Sequence, residues 1–393
     1  MNIEEPVAQG NALLQKGFRP FFLLATAGGM LMILIWVASY AGLAASPADY
    51  YGHNVWHLHE MLFGYSTAVI AGFLLTAVAN WTGRETATGT SLAILAAVWL
   101  AGRIAPLLPL PELLIALLDL TFLPLLAGLL ASRIIVTGNK RNYFVPVLLS
   151  LLWFANLGIH LQALGISDSF ALPGQRLALA MIWLLICVIA TRILPAFSKS
   201  GLTDYRGQRN AHTDKLAILA CAAFAIAYTS NLTWLLGTTG LLACALICVQ
   251  LIQWRDRKVW QVPLLWVLHL GYGWLALGLL MIGLQALGFI NSPFNLGLHA
   301  ATIGAVGGLT LGMMARVSLG HTGRKLNPNK AVITAFILVQ LAVLMRAVLP
   351  LFVPQHYISL VQFSGLLWGI ALGIFVVVFT PILISARPDG RPG

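Results

Sequence analysis

An all-α, polytopic membrane protein of about twelve transmembrane helices is the fold class this sequence predicts, on three observations. Hydrophobic residues make up 59% of the 393 and charged residues only 9%, against roughly 25% charged in soluble domains. The apolar stretches each run for about 20 residues, enough for a helix to cross a ~30 Å hydrocarbon slab. They do not alternate as the strands of a membrane β-barrel would. Only short polar turns separate them, so a single integral domain is expected over residues 19–386. Tails at 1–18 and 387–393 flank it.

In chain order the helices are expected at about 20–43, 57–80, 91–108, 113–136, 144–165, 175–198, 215–236, 238–254, 262–287, 296–318, 330–353 and 357–386. Residues 1–17 are polar and lack an apolar h-region, so no cleavable signal is expected. The net charge of +11 would suggest nucleic acid in a soluble protein. Here its distribution concerns orientation, and no nucleic-acid partner is expected. With a cytoplasmic N-terminus, twenty of the 23 Lys and Arg fall on the inner side, leaving Arg103, Arg176 and Arg346. One helix too many or too few would invert the downstream loops and erase that asymmetry. Both termini are therefore expected inside.

Cys187, Cys221, Cys244 and Cys248 all lie in apolar segments. They read as small buried hydrophobes, with no disulfide framework and no CxxC or CxxCH motif.

The second helix carries the sharpest chemical signal. WHLHEMLFGYSTAVIAGFLLTAVANWTGR, residues 56–84, opens with His57, His59 and Glu60 at the mouth of a segment apolar enough to span. Ionisable groups there are expensive. Trp56 and Trp81 stand roughly 37 Å apart along a helix, one indole at each interface. On the predicted topology six of the nine histidines gather at the outer side: His53, His57, His59, His160, His299 and His356. His269 lies about a third of the way up the ninth helix.

Residues two apart on a helix point about 200° apart, so His57 and His59 can hardly chelate one ion while regular helix is kept. Each suits a separate centre, or one a centre and the other a hydrogen bond. Interfacial histidines facing headgroups are the bland alternative, which explains one histidine better than the whole set. A zinc-protease reading fails because HExxH is absent. Glu60 could orient His57, bind copper, deliver protons or simply reach outer water. Asp119, in the fourth helix, is a more enclosed carboxylate suited to a membrane arginine, which the sequence does not identify. His269 and His160 compete with ordinary core histidines. Arg19, Arg192 and Arg316 lie at inner helix ends, where snorkelling to phosphate is the leading role and a haem propionate the alternative.

Imidazole is a common ligand of haem iron and of copper, and helical bundles build such sites from inward-pointing side chains. An echo at an offset of 240 residues relates His59 to His299, Gly64 to Gly304, Gly72 to Gly312 and Thr82-Gly83-Arg84 to Thr322-Gly323-Arg324. Small residues then follow at i, i+4 and i+8 in both helices, a spacing that permits close approach. Chance likeness between glycine-rich helices and a pseudo-symmetric pair flanking a bulky cofactor are the two readings of this echo.

RPFFLLA at 19–25, the 56–83 segment, RILPAFS at 192–198, WVLHLGYGW at 266–274 and HAATIGAVGGLTLGMMARVSLGHTGR at 299–324 together resemble the NnrS family of bacterial inner-membrane proteins. The resemblance implies a cytoplasmic-membrane protein containing haem b and copper, engaged in the response to nitric oxide and nitrosative stress. His57, His59, Glu60, His269, His299 and Arg316 occupy its motif positions, and His160 joins them as a candidate ligand. Ala79 and Thr191 stand where the family often has proline and glycine. Neither departure removes a candidate ligand.

Two functional classes follow. The first is a redox or gas-binding protein that binds or turns over nitric oxide, with electrons from a quinol or another donor. No quinol-site signature is present. The second is a histidine-dependent transporter or metal-handling permease, disfavoured by the lack of a six-plus-six repeat and of paired interrupted helices.

Overall fold

The computed structural model describes residues 11–45 and 49–390; most of the N-terminal tail, and Arg391 among the inner-side basic residues, lie outside them. Twelve helices are long and apolar enough to cross a membrane, and no strand occurs among the described residues. They are α1 (Phe18–Tyr40), α2 (His53–Thr82), α3 (Gly89–Leu107), α4 (Glu112–Val136), α5 (Lys140–Ala163), α6 (Ala171–Gly201), α7 (Ala211–Thr229), α8 (Thr233–Gln253), α9 (Pro263–Ala286), α10 (Leu296–His321), α11 (Lys330–Leu351) and α12 (Pro354–Ile384).

The chain forms two compact units. The first holds residues up to Ala178 together with Met314–Leu326 and the stretch from Leu372 onward. Its α1 and α2 pack where glycine replaces bulk. A Cβ on Gly72 would come 2.7 Å from the Phe22 ring, and one on Gly29 equally close to Tyr65. The Arg19 guanidinium is wholly buried and donates to the carbonyls of Leu383 and Ser385 at 2.7 and 2.8 Å. It therefore ties α1 to the end of α12 instead of snorkelling.

Within α4 the regular helix stops at Leu120 and resumes at Phe122. Pro124 lacks an N–H and obstructs the carbonyl four residues back, which is that of Leu120. Trp153 on α5 donates its indole N–H to that carbonyl at 3.0 Å.

The second unit comprises Leu179–Met313 and Asn327–Ala371. Its α9 is lined by glycines on which neighbouring backbones close. Gly278 faces Gly297 and Ala301 of α10, Gly271 faces Leu309, and Gly283 meets Gly237 and Gly240 of α8. A Cβ at Gly278 would come 2.8 Å from the Gly297 carbonyl. Larger side chains would therefore push these helices apart.

The second helix departs from the expected regular 57–80. It starts at His53, and Glu60–Ser66 is a π-helix set between α-helical segments. In α10, Ala300–Gly307 is a π-helix as well, again starting directly after a histidine. The two interruptions begin at the offset of 240 residues already visible in the sequence. Carbonyls loosened by the wider turn find side-chain donors: Gly64 from Trp99 at 3.2 Å, Met61 from Ser66 at 2.7 Å, and Ala301 from Trp183 at 3.1 Å. Such π-turns recur at functional sites.

Candidate functional site

In the first unit, α2, α3, α4 and α5 bring ionisable groups together within about two turns of the ends where α2 and α4 start and α3 and α5 finish. His59 and Glu60 come from α2, Arg103 from α3, Asp119 from α4, and Asn156 and His160 from α5. All six are buried. Gly102 lets α4 approach, since a Cβ there would lie 2.7 Å from Asp119 Oδ1 and 3.0 Å from its Cα. Gly64 leaves similar room, a Cβ there falling 2.9 Å from Glu60 Oε2.

The His59 ring is held between the two carboxylates. Its Nδ1 is 3.1 Å from Glu60 Oε1, and its Nε2 is 3.2 Å from Asp119 Oδ2 and 2.9 Å from Asn156 Oδ1. The Asn156 amide donates to Asp119 Oδ2 at 2.7 Å. His160 Nε2 meets that same oxygen at 2.9 Å, while its Nδ1 faces the Tyr50 hydroxyl at 2.9 Å. Arg103 donates to Glu60 Oε1 at 2.8 Å and forms an ion pair with Asp119 Oδ1. Tyr51 stacks on His59 with centroids 4.3 Å apart and sets its hydroxyl 3.2 Å from Nε2. Burial pushes the Tyr50 and Tyr51 phenols up from their ordinary range, so both remain neutral hydroxyls.

Two carboxylates and one guanidinium leave this enclosure one negative charge in excess. A low-dielectric site tolerates that poorly. A proton on each nitrogen of His59, or a bound cation, closes the balance. Among the described residues, His59, Asp119 and His160 are the group whose ligand atoms could hold a metal ion, all within 4.8 Å of one another. Nitrogen-to-oxygen edges of 2.9 and 3.2 Å suit an ion with bonds of roughly 2.0–2.1 Å at roughly right angles.

Phe63, Trp99, Phe122 and Leu123 close the apolar side of a crevice whose polar side is Arg103, Asp119 and Asn156. These side chains pack too closely for even a water-sized group to sit among them, so the crevice does not fit a porphyrin.

The other sequence candidates go elsewhere. His57 leaves His59 and stacks on Trp36 with centroids 4.2 Å apart, as does His53 at 5.8 Å. His269 and His299 belong to the second unit. Each turns Nδ1 to the carbonyl four residues back, Leu265 at 2.9 Å and Asn295 at 2.7 Å. In His269 that bond fixes the proton on Nδ1 and leaves the lone pair on Nε2. His269 Nε2 is buried without a hydrogen-bond partner. The α9–α10 crossings place His269 opposite about residue 311, roughly 15–18 Å along the pair from His299, too far for one ion to take both. Arg316 is buried near the end of α10, in the first unit.

Sequence reasoning missed Arg103, Asn156, Tyr50 and Tyr51 as site residues. The four-residue spacing of Asn156 and His160, which puts both on one helix face, was a usable signal. Gly102→Ala is expected to destabilise the protein by about 1–3 kcal/mol through the clash with Asp119. Thermal unfolding in detergent measures it, and an unchanged midpoint would refute the close approach of α3 and α4.

The family model described as "NnrS protein" matches residues 12–387. No curated protein matches the chain.

Proposed function

The chain belongs to the NnrS family, and on that premise we propose that it is a membrane protein of the nitric oxide response that uses copper and haem b to bind or turn over nitric oxide, protecting against nitrosative stress. The bacterial cytoplasmic membrane is its expected location. The buried His59–Asp119–His160 cluster carries this reading.

Two imidazoles and one carboxylate are donors that copper accepts, as zinc and ferrous iron do, and copper is the ion that the family resemblance implies. In this reading His59, His160 and Asp119 hold the ion, Arg103 and Glu60 fix their orientation, and Tyr50 and Tyr51 keep water off the outer edge. Haem b would be held in the second unit, where Nε2 of His269, buried without a hydrogen-bond partner, could ligate its iron, and the haem would supply the site at which nitric oxide binds. His299, too far from His269 to share one iron with it, is the alternative candidate ligand in that unit. Glu60 Oε2, buried and without a hydrogen-bond partner, is a ready acceptor for a proton passing from His59.

Reduced-minus-oxidised visible spectra of the purified protein test the haem assignment, and metal analysis tests the copper. A Soret band that shifts with nitric oxide and vanishes in His269→Ala is expected. Copper is expected to fall away in His160→Ala with the spectrum retained. A colourless, folded, metal-free protein would overturn the proposal.

The matched π-interruptions in α2 and α10 favour one alternative, a permease with a transient metal site. They pair the second span with the tenth, however, whereas a six-plus-six repeat would pair it with the eighth. Metal uptake into vesicles without a haem spectrum would support the permease.

A further inference from the structure

Tyr51 stands directly before α2, where Gly52 turns the chain with a φ of +72° and its carbonyl accepts from the Trp56 N–H at 2.8 Å. That turn sets the phenol back over the helix it precedes, with only 7% of the residue exposed. The hydroxyl oxygen lies 3.2 Å from His59 Nε2 and 3.4 Å from His160 Nε2. These are the two nitrogens that Asp119 Oδ2 meets at 3.2 and 2.9 Å. Nitrogen and oxygen therefore alternate around a closed ring of contacts: His59 Nε2, Asp119 Oδ2, His160 Nε2 and Tyr51 Oη. Bonds of roughly 2.0–2.1 Å to a central ion subtend roughly 90–110° across edges of 2.9–3.4 Å, angles that suit four-coordination.

Hydrogen bonding alone accounts for this placement less well. Hydroxyl hydrogen bonds usually run to about 3.0 Å, and a single proton does not serve two nitrogens equally. Tyr50 shows the ordinary case, with its hydroxyl 2.9 Å from His160 Nδ1, on the ring edge turned away from Asp119. Asn156 is no rival as a ligand, because its oxygen meets His59 alone and its amide is committed to Asp119.

We propose that Tyr51 is a fourth protein ligand at the His59–Asp119–His160 cluster, taken up as a phenolate when the ion is cupric; the inference rests on the copper reading above. On ligation the phenolic O–H bond breaks, an O–Cu bond forms and the proton leaves to bulk water. No electron moves in that step. Charge favours the same outcome. Two carboxylates and one guanidinium are neutralised by a cuprous ion with the phenol intact. A cupric ion brings one positive charge more, and loss of the Tyr51 proton removes it. Tyr51 lies outside any helix and its ring stacks at 25° on the His59 imidazole, so the hydroxyl can slide onto an ion without displacing α2.

The neighbouring phenol supplies the control. Full-length protein in detergent is loaded with one equivalent of cupric ion and compared with the same protein before loading, by difference absorption and resonance Raman spectroscopy. A phenolate-to-copper charge-transfer band, with phenolate ring modes enhanced under it, is expected in wild type and in Tyr50→Phe. Tyr51→Phe is expected to lose the band yet still bind one copper, with the ratio of cuprous to cupric affinity raised about 10–100-fold. Wild type that binds one cupric ion without the band would overturn the inference and leave the copper reading standing. So would a band that survives in Tyr51→Phe or disappears in Tyr50→Phe. Wild type that takes up no copper would overturn the copper reading and this inference with it. Wild type and Tyr50→Phe decide the point even if Tyr51→Phe fails to fold.

Discussion

Arg103→Met is expected to destabilise the protein by about 3–5 kcal/mol, among the largest effects of any single substitution, because it strands two buried carboxylates. Among the described residues Arg103 is the only guanidinium that reaches both Glu60 and Asp119, and its ion pairs are nearly solvent-free. Exposed pairs such as Arg387 with Asp389 are worth only about 0–1 kcal/mol. The loss is mainly the penalty of leaving charge unpaired, not the net worth of the pair itself. Removing one stranded charge should therefore restore part of the stability. Arg103→Met combined with Glu60→Gln is expected to be more stable than Arg103→Met alone. Denaturant titration in a fixed detergent measures both changes. A loss under about 1 kcal/mol, or no recovery in the double variant, would remove the charge argument on which the site rests.

Much of the fold was legible because a bilayer admits few solutions. Runs of apolar residues of spanning length must be helices, and twelve occur among the described residues. The π-helices at Glu60–Ser66 and Ala300–Gly307 were not legible as geometry, since an added residue per turn leaves the apolar pattern almost unchanged. Their matched positions did leave a trace in the His59 and His299 echo. The site was half legible. Asp119 stood out as an enclosed carboxylate in want of an arginine, and Arg103 as a basic residue off the inner side. Joining them required the α3–α4 approach that Gly102 permits, a tertiary fact that no local pattern carries. His57 and His59 look equivalent in the sequence, yet only His59 turns to the carboxylates, because the helical rotation between them sends His57 to Trp36. Asn156 escaped notice because a neutral amide in a membrane helix is ordinary until its partners are known.

Asp119→Asn is expected to abolish stoichiometric metal binding at the first-unit cluster, while Glu60→Gln weakens it by about 10–100-fold. The difference follows from geometry. Asp119 Oδ2 is the atom both imidazoles share, at 3.2 Å from His59 Nε2 and 2.9 Å from His160 Nε2, so an ion between the rings must take it as a ligand. Glu60 acts one bond further out, through His59 Nδ1. Chemistry also sets the response to pH. Metal ligation needs an unprotonated nitrogen on both His59 and His160, so protons compete with the ion and affinity should fall as the pH is lowered. Two carboxylates and one guanidinium leave the cluster one negative charge, so a monovalent cation leaves it neutral, whereas a divalent one leaves it positive in a low-dielectric enclosure. Cuprous copper is accordingly expected to bind more tightly than zinc, despite a donor set that zinc also accepts. Competition titrations of the two ions at several pH values test this. Tighter zinc binding, or affinity independent of pH, would mean that the His59 protons are arranged otherwise and that the excess negative charge is balanced from outside the cluster.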